Sequence, residues 1–464
     1  MKRFLFYLFA ILYSVEFMAQ SFTVNNSDGM PLKYTVTSTN PNEVKLTGRG
    51  TIPTGYTLGT ELNVPATVFY GGSTYNVVEI AKNCFFSESI LTKVNLPEGI
   101  RTIGSYAVFQ SSIYSISIPS TLTKLEENAL LFMAYSFSDS HTGARFLDMD
   151  FSKTSITEFP ISSVQIGSHS KSILRSVSYP ATTQIISEDQ FSKDYDTPPI
   201  IYLYNSIPAT LTVNISQPFS GHKNPFRSAT HIYVPIDATK IYEDNTDWAK
   251  YKGRYYEQVP VGPSGYTSYY LENENFLVPA GCTAYIITGI TPSGSIMTPD
   301  QAVVKAFGAG KIIPKQTGFI LQGAANSTVV YQANVTGTEE NVTNNLLIGT
   351  ATEQEFNASG YKYYIFSNNG DEGIGFYKQG TRNGASIKLA AHRAGLRLPE
   401  AIAPAKGFTI DFDAARKEAE TTGIRDVRPT VQPRENVVYD LQGRRVTNPG
   451  RGIYIVNGKK VVRE

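Results

Sequence analysis

Apolar and polar positions recur along residues 90–130 as one figure. Val94-Asn95-Leu96-Pro97 is followed by Ile100, Ile103, Ala107 and Val108, and Ile116-Ser117-Ile118-Pro119 by Leu122, Leu125, Ala129 and Leu130, so the figure returns after 22 residues. A fixed period of that size predicts a solenoid whose repeats each supply one short strand and one turn-like segment. Within a strand the two apolar residues are two apart and share a face, while the residue between them points the other way. Proline fixes φ and lacks an N–H, which suits it to the corner where the strand stops.

Degenerate copies lie on either side. Leu62-Asn63-Val64-Pro65, Val177-Ser178-Tyr179-Pro180 and Ile232-Tyr233-Val234-Pro235 fit the strand figure, and Met149-Asp150-Phe151 and Ile201-Tyr202-Leu203 fit it without the proline. Val77, Ile80, Cys84, Phe85 and Phe86 match Ile100, Ile103, Ala107, Val108 and Phe109 at an offset of 23. Small residues at 84, 107 and 129 are expected where two layers approach closely. The spacing is lost after Leu130, which predicts inserted or decayed repeats in the middle.

These residues resemble the leucine-rich repeat of the BspA type, found in surface proteins of Bacteroidetes and of treponemes, although the regular Asn ladder of ordinary leucine-rich repeats is missing. Residues 232–251, with Pro235, Tyr242, Trp248 and Tyr251, resemble the closing repeat of that family. A solenoid needs such atypical ends to cover its last apolar faces. At the other end Leu32-Lys33-Tyr34-Thr35-Val36 and Val44-Lys45-Leu46 alternate between turn residues and read as hairpin strands capping the first repeat. The resemblance covers roughly residues 22–256.

Lys2-Arg3 precede an apolar run at 4–13, and Ala19-Gln20 offers a cleavage point, the pattern of a signal peptide. No later stretch has the eighteen or so apolar residues of a membrane span. A turn-rich hinge, Val261-Gly262-Pro263-Ser264-Gly265, leads into short strand-like runs at 269–270, 276–278, 284–287, 301–304, 317–321, 328–331, 361–366, 375–377 and 408–412, which predict a β-sandwich. Phrases such as Val278-Pro279-Ala280-Gly281 resemble a β domain that accompanies such repeats in Bacteroidetes; Gly395 stands where that domain often has Tyr, which predicts the loss of one aromatic contact. Residues 413–420 suit a short helix and 421–436 a linker. The final segment alternates around Gly turns, with Asn457-Gly458 a hairpin signal, and is similar to the C-terminal sorting module of exported Bacteroidetes proteins. The expected fold is therefore mainly β: signal peptide 1–20, BspA-type leucine-rich-repeat solenoid 21–256, β-sandwich domain 262–412, linker 413–436 and a small C-terminal β module 437–464.

Composition agrees with an exported β-rich chain: of 464 residues 12% are aromatic, 29 of them Tyr, and only 17% are charged. A formal net charge of +1 gives no long-range attraction to nucleic acid. Of the cysteines, Cys84 holds a core position of a repeat and Cys282 lies in the later domain, so two buried, unpaired thiols are expected rather than a bridge.

The candidate chemistry is sparse. The five histidines form no i, i+4 pair around a Glu, so no zincin motif exists and no metal or cofactor is expected. Gly308-Ala309-Gly310-Lys311 lacks the first Gly of a phosphate loop and has Ile312 where Ser or Thr would hold magnesium, so it reads as a turn. Asn368-Asn369-Gly370-Asp371 has oxygen ligands without EF-hand spacing and also reads as a turn. Asp148 and Asp150 share one face of a strand, as glycoside hydrolysis needs, but the same alternation describes a solvated rung. No catalytic constellation is expected, and the chain reads as a binding protein rather than an enzyme.

The residues alternating with the buried pairs lie on the outer face of the strand ladder. Its early rungs, Lys93 and Asn95, Ser115 and Ser117, are small or polar; Asp148 and Asp150, then Ser176 and Ser178, come next, and the last rungs bring Tyr202, Tyr204, His231 and Tyr233 together. Tyrosines give large contact area for little lost rotamer freedom, so the ligand is expected there. The competing expectation is that the neighbouring β domain covers them. An extended strand face suits a host or bacterial surface protein as partner, and abundant Tyr alternatively suits a glycan, since sugar rings stack on aromatic faces; the likeness to the sorting module implies that either is met at the outer-membrane surface or outside the cell.

Overall fold

The computed structural model describes residues 20–463, except 53, 55–58, 89, 110–112, 133–144, 167–171, 188–197, 213–224, 296–299, 371–372, 404–407, 427–437, 440–444, 448–449 and 457–458. Residues 1–19, expected as most of a signal peptide, and His141, His169, His222, Asp371 and Asn457-Gly458 lie outside the described residues.

The repeats coil with apolar pairs inward and strands stacked in parallel. On the front, Glu61–Asn63, Lys93–Asn95 and Ser115–Ile116 form one ladder. Arg145–Asp150, Ser172–Tyr179, Ile200–Leu203, His231–Tyr233 and Tyr255–Val261 form a second. Each repeat supplies a second short strand as well, so the expectation of one strand per repeat is corrected. Ser73–Ile80, Thr102–Ile103 and Lys124–Leu125 pair along the rear, succeeded by Glu158–Phe159, Ile185–Ser187 and Thr210–Thr212. Ile103 and Leu125 belong to those rear strands because their neighbours on adjacent coils offer free ladder groups.

The core is continuous from Phe22 to Tyr255. Leu62, Val94, Phe151, Val177, Ile201 and Ile232 are fully buried, and Ile118 packs part-buried at its margin. The small-residue corner also repeats: Asn83, Tyr106, Asn128 and Ser162 have positive φ (58°, 55°, 58° and 48°), each succeeded by a small buried residue, Cys84, Ala107, Ala129 and Ser163. Each corner closes with the same i to i+3 bond, from Cys84 N to Ala81 O, Ala107 N to Gly104 O, Ala129 N to Glu126 O and Ser163 N to Pro160 O. Ser163 thus continues a corner whose spacing is lost in the sequence. Gly104 is required here, because a Cβ would come within 2.6 Å of Lys82 N on the neighbouring coil. Phe86 departs from the core pattern: it is exposed and its ring tilts against Phe109, 5.1 Å away.

Both ends are closed. Ser21–Asn25, Pro31–Thr39 and Asn42–Arg49 form an antiparallel meander, and its third strand pairs in parallel with Ser73–Ile80 to start the rear ladder. At the far end the helix Thr239–Asp244 buries Tyr242, beside Trp248 and Tyr251. Trp248 Nε1 donates to Ala209 O at 2.6 Å and the Tyr242 hydroxyl to Asn205 O at 2.8 Å, so the last aromatic groups fill the coil and satisfy its carbonyls.

Tyr255–Val261 is the last front strand of the repeats and also the first strand of the C-terminal sheets: its residues 257–261 pair antiparallel with Ser327–Tyr331. Beyond it, Tyr266–Tyr269, Phe319–Gln322, Thr283–Thr291, Asp300–Phe307 and Phe408–Thr409 make one sheet. Leu347–Thr350, Arg393–Pro399, Tyr361–Gly370 and Gly373–Tyr377 make another. They share a core in which Tyr285, Ile287 and Ile320 of the first meet Leu347, Tyr364 and Leu396 of the second. Leu347–Thr350 and Arg393–Pro399 are strands without an expected run. Gly395 does not remove an aromatic contact: a Cβ there would lie 2.5 Å from Ile387 Cδ1, and Ile387 and Leu389 fill the space. Phe412 opens a helix, Phe412–Asp426, instead of ending a strand, and the helix runs past Glu420 into the stretch expected as linker. Phe412 stacks on Tyr266 at 4.7 Å, which explains where the helix starts. Val438–Tyr439, Arg445–Val446, Gly452–Val456 and Lys459–Arg463 form a small antiparallel sheet. Cys84 and Cys282 are unpaired; Cys84 is buried and burial pushes its thiol up, whereas Cys282 is only half-buried.

A buried acidic group locks the repeats to the sheets. Glu257 is fully buried and accepts hydrogen bonds from the amides of Asp237, Ala238 and Thr239, the Thr239 hydroxyl and the Tyr331 hydroxyl. The Asp237 carboxylate accepts from Glu272 N, Asn273 N and Asn273 Nδ2. Glu274, also buried, accepts from Lys240 N and meets Glu257 side chain to side chain. Burial pushes both carboxyls up, Glu274 to about 10 with Glu257 as the next cause; because Glu257 accepts from five donors and Glu274 from one, the shared proton is assigned to Glu274.

Core packing and this acidic pair can each be tested. Leu96→Ala should destabilise the chain by about 2–5 kcal/mol in chemical denaturation, because it empties a buried site between coils. Glu274 holds its proton in the folded state and releases it at about 4.3 when unfolded. Its contribution is therefore complete below that value and is lost as pH rises towards about 10. Glu274→Gln should flatten the fall in melting temperature between pH 5 and 9; an unchanged slope would show that the proton is elsewhere.

Candidate binding face

Register places the outer residues of the second front ladder in columns. Asp150 lies beside Ser178, Ser178 beside Tyr202, Tyr202 beside Tyr233 and Tyr233 beside Tyr256. In the next column Asp148, Ser176, Ile200 and His231 are neighbours. Parallel strands stand about 4.8 Å apart, so flat side chains in one column are driven to stack. The Tyr202 and Tyr233 rings lie 4.7 Å apart and 10° from parallel, and His231 lies 4.6 Å from Tyr256. Tyr256 is 6.1 Å from Tyr233 and completes the row.

Tyr204, two residues beyond Tyr202, is 50% exposed, so the β domain does not cover it. Together with Tyr202, Tyr233, Pro235, Ile236 and Gln258 it borders an open cavity of about 200 Å³. The phenols of Tyr202, Tyr204 and Tyr233 are all shifted up, first by burial and then by Asp148, Asp150 and Tyr202 respectively, so they remain neutral donors and acceptors. The His231 Nδ1 pairs with the Thr230 hydroxyl at 3.0 Å.

The carboxylates at the other end differ from one another. Leu147 pairs with Leu174 and Asp148 with Ser176, which leaves Arg175 unopposed in a bulge. The bulge turns Arg175 onto Asp148, which it grips through Nε at 2.9 Å and through Nη2, while the Ser176 hydroxyl donates at 2.6 Å. The Arg175 bond, above all, holds the Asp148 carboxyl below its usual range, so Asp148 does not serve as an acid. Asp150 accepts from Ser152 N at 2.9 Å, is exposed, and has no ion pair among the described residues. Ser176 and Ser178 are buried rather than exposed, because their short side chains lie between taller rungs.

The earlier rungs are tied to one another. Asn95 Nδ2 donates to Asn63 Oδ1 at 2.7 Å, Asn63 Nδ2 to Asp28 Oδ2 at 3.2 Å, and Lys93 pairs with Glu61 at 2.9 Å. Among the described residues no cluster of three His, Cys, Asp or Glu could hold a metal ion. Gly308-Ala309-Gly310-Lys311 is the turn between two strands, with Lys311 paired to Glu340. The structure thus joins Tyr202, Tyr204, Tyr233 and His231 in one patch, brings Asp150 close enough to bear on Tyr204, and ties Asp148 to Arg175. Sequence reading missed Tyr256, Gln258 and Arg175. The Tyr255-Tyr256 alternation was a usable signal for the first; a bulge leaves none for the last.

A model of the BspA type leucine rich repeat region matches residues 73–170 in six copies. No curated protein matches the chain. Among solved structures, a leucine-rich repeat protein of Bacteroides capillosus ATCC 29799 is 14% identical, over 39% of this chain and 97% of that one, with a TM-score of 0.22. A leucine rich cell surface protein of Faecalibacterium prausnitzii A2-165 is 17% identical over 46% of this chain and 54% of its own, with a TM-score of 0.29. The pneumococcal vaccine antigen PcpA is 14% identical over 46% and 50%, with a TM-score of 0.24. The chain spans about half the length of the latter two, and at such TM-scores the likeness carries no functional argument.

Proposed function

We propose that this chain is an exported cell-surface protein that binds a partner protein through the tyrosine face of its repeats, without enzymatic activity. The units at 21–256, 262–412 and 437–464 then serve as repeat domain, β-sandwich and sorting module. The supporting context is the BspA type repeat region at 73–170 and the export pattern at 4–13. Among the described residues no helix is long and apolar enough to cross a membrane.

One observation carries the choice of partner class. Tyr202 and Tyr233 stack face to face, as do His231 and Tyr256, so the row presents ring edges and hydroxyls to the outside. Sugar rings are held by open aromatic faces, and most of these faces are already occupied. A row of edges and phenols beside a shallow cavity suits side chains and backbone of another protein. The glycan reading keeps only the half-exposed ring of Tyr204.

The test is an array of matrix and surface proteins beside a glycan array, probed with the mature protein and with the variant carrying Tyr202→Ser, Tyr204→Ser and Tyr233→Ser. Binding to a protein, lost in the variant at an unchanged melting temperature, is the expected result. Glycans alone bound, or protein binding that survives the triple change, would refute it.

A further inference from the structure

We infer that the open cavity beside Tyr204 takes an apolar side chain from an extended, uncharged segment of the partner, and that a backbone N–H of this segment bonds the carbonyl oxygen of Leu203. This rests on the reading of the tyrosine face as a protein-binding site.

The carbonyl is available because Pro235 ends the ladder. Between the strands Ile200–Leu203 and His231–Tyr233, residues 200, 201 and 202 lie beside 231, 232 and 233. His231 N donates to Pro199 O at 3.1 Å, and the bonds of a parallel ladder recur at every second residue, so the donor due to Leu203 O is the nitrogen of residue 235. Proline has no N–H to give. The Leu203 side chain is buried in the core of the repeats, so this residue borders the cavity through its main chain, next to Pro235. A backbone oxygen left over at a strand end takes its hydrogen bond from outside the ladder, and an extended segment laid beside it supplies an N–H as a further strand would.

The lining selects the side chain that goes with it. The cavity, about 200 Å³, is smaller than the roughly 300–1,000 Å³ of sites that enclose a whole small molecule, and has room for one side chain. Half-buried Pro235 and Ile236 give it an apolar wall, and Ile236 is backed by the core of the C-terminal sheets. No charged residue lines it, and the phenols of Tyr202, Tyr204 and Tyr233 stay neutral, so a charged side chain entering it would leave water without meeting a counter-charge. A sugar ring fits no better, because hydroxyls turned towards Pro235 and Ile236 would find no side-chain partner there. At the border, the three phenol hydroxyls and the Gln258 amide make no hydrogen bond among the described residues and are free to bond the peptide groups on either side of the inserted residue.

The experiment measures binding of acetyl-Ala-Leu-Ala-dimethylamide to the full chain, beside the same peptide with Lys in place of Leu and a form N-methylated at all three residues, which keeps the leucine side chain but has no N–H. The leucine peptide should bind about tenfold more tightly than either. Pro235→Ala returns an N–H to Leu203 O and should weaken the leucine peptide about tenfold, with cooperative thermal unfolding as the check that the variant is folded. If that variant does not fold, the N-methylated peptide decides the matter on the unaltered chain. Equal affinity for the leucine and lysine peptides, equal affinity for the leucine peptide and its N-methylated form, or undiminished binding to folded Pro235→Ala would overturn the inference. If the triple tyrosine variant loses its protein partner while the leucine peptide fails to bind, the cavity inference falls and the protein-binding face stands. If the leucine peptide binds as expected while the triple variant keeps its partner, the face as the partner site falls.

Discussion

Every coil of this molecule buries its apolar pairs only against the coils above and below it, so the register of neighbouring strands governs everything else. Val177, Ile201 and Ile232 fall in one inward column because each is paired with the next across the ladder. A slip of one residue would turn the whole set outward. The same register fixes the outside: once Ile201 and Ile232 face in, Tyr202 and Tyr233 must stand side by side facing out. The tyrosine row is thus a by-product of core packing, and no separate folding signal is needed to assemble it.

Dependence on neighbours makes the ends the weak points, and the two ends are solved differently. The first coil is covered by an antiparallel meander whose third strand is the first rear strand. The last is filled by Tyr242, Trp248 and Tyr251, then continued by a strand that leaves to pair with Ser327–Tyr331. Both ends thereby cover the kind of ladder edge that recruits other chains.

The sequence made the front ladder legible because apolar-x-apolar-Pro states both a two-residue period and a stop. The rear strands were not legible, since Thr102-Ile103 and Lys124-Leu125 are too short for any period to show. The middle corner was hidden for a different reason: Asn83 and Asn128 are residues that accept positive φ readily, but Ser162 does not advertise it, and Ser163 replaces the small apolar residue. Four of the candidate site residues, Tyr202, Tyr204, His231 and Tyr233, came from alternation alone and meet in space. Arg175 came from a bulge, which breaks that alternation and so defeats a reading based on it. Glu257 and Glu274 were invisible for a third reason. Charged residues are expected outside, and only the packing of two units against each other reveals that these two are inside.

The strand Tyr255–Val261, held by the repeats at one end and by Ser327–Tyr331 at the other, has a mechanical meaning. Tension applied between the repeats and the C-terminal sheets would load this segment along its own axis. The five residue pairs from Glu257–Tyr331 to Val261–Ser327 then bear the tension together, as in a lap joint, and do not open one after another as in a zip. Pairs loaded in this way resist by shear, so the repeats and the sheets would part only when all five pairs give way at once.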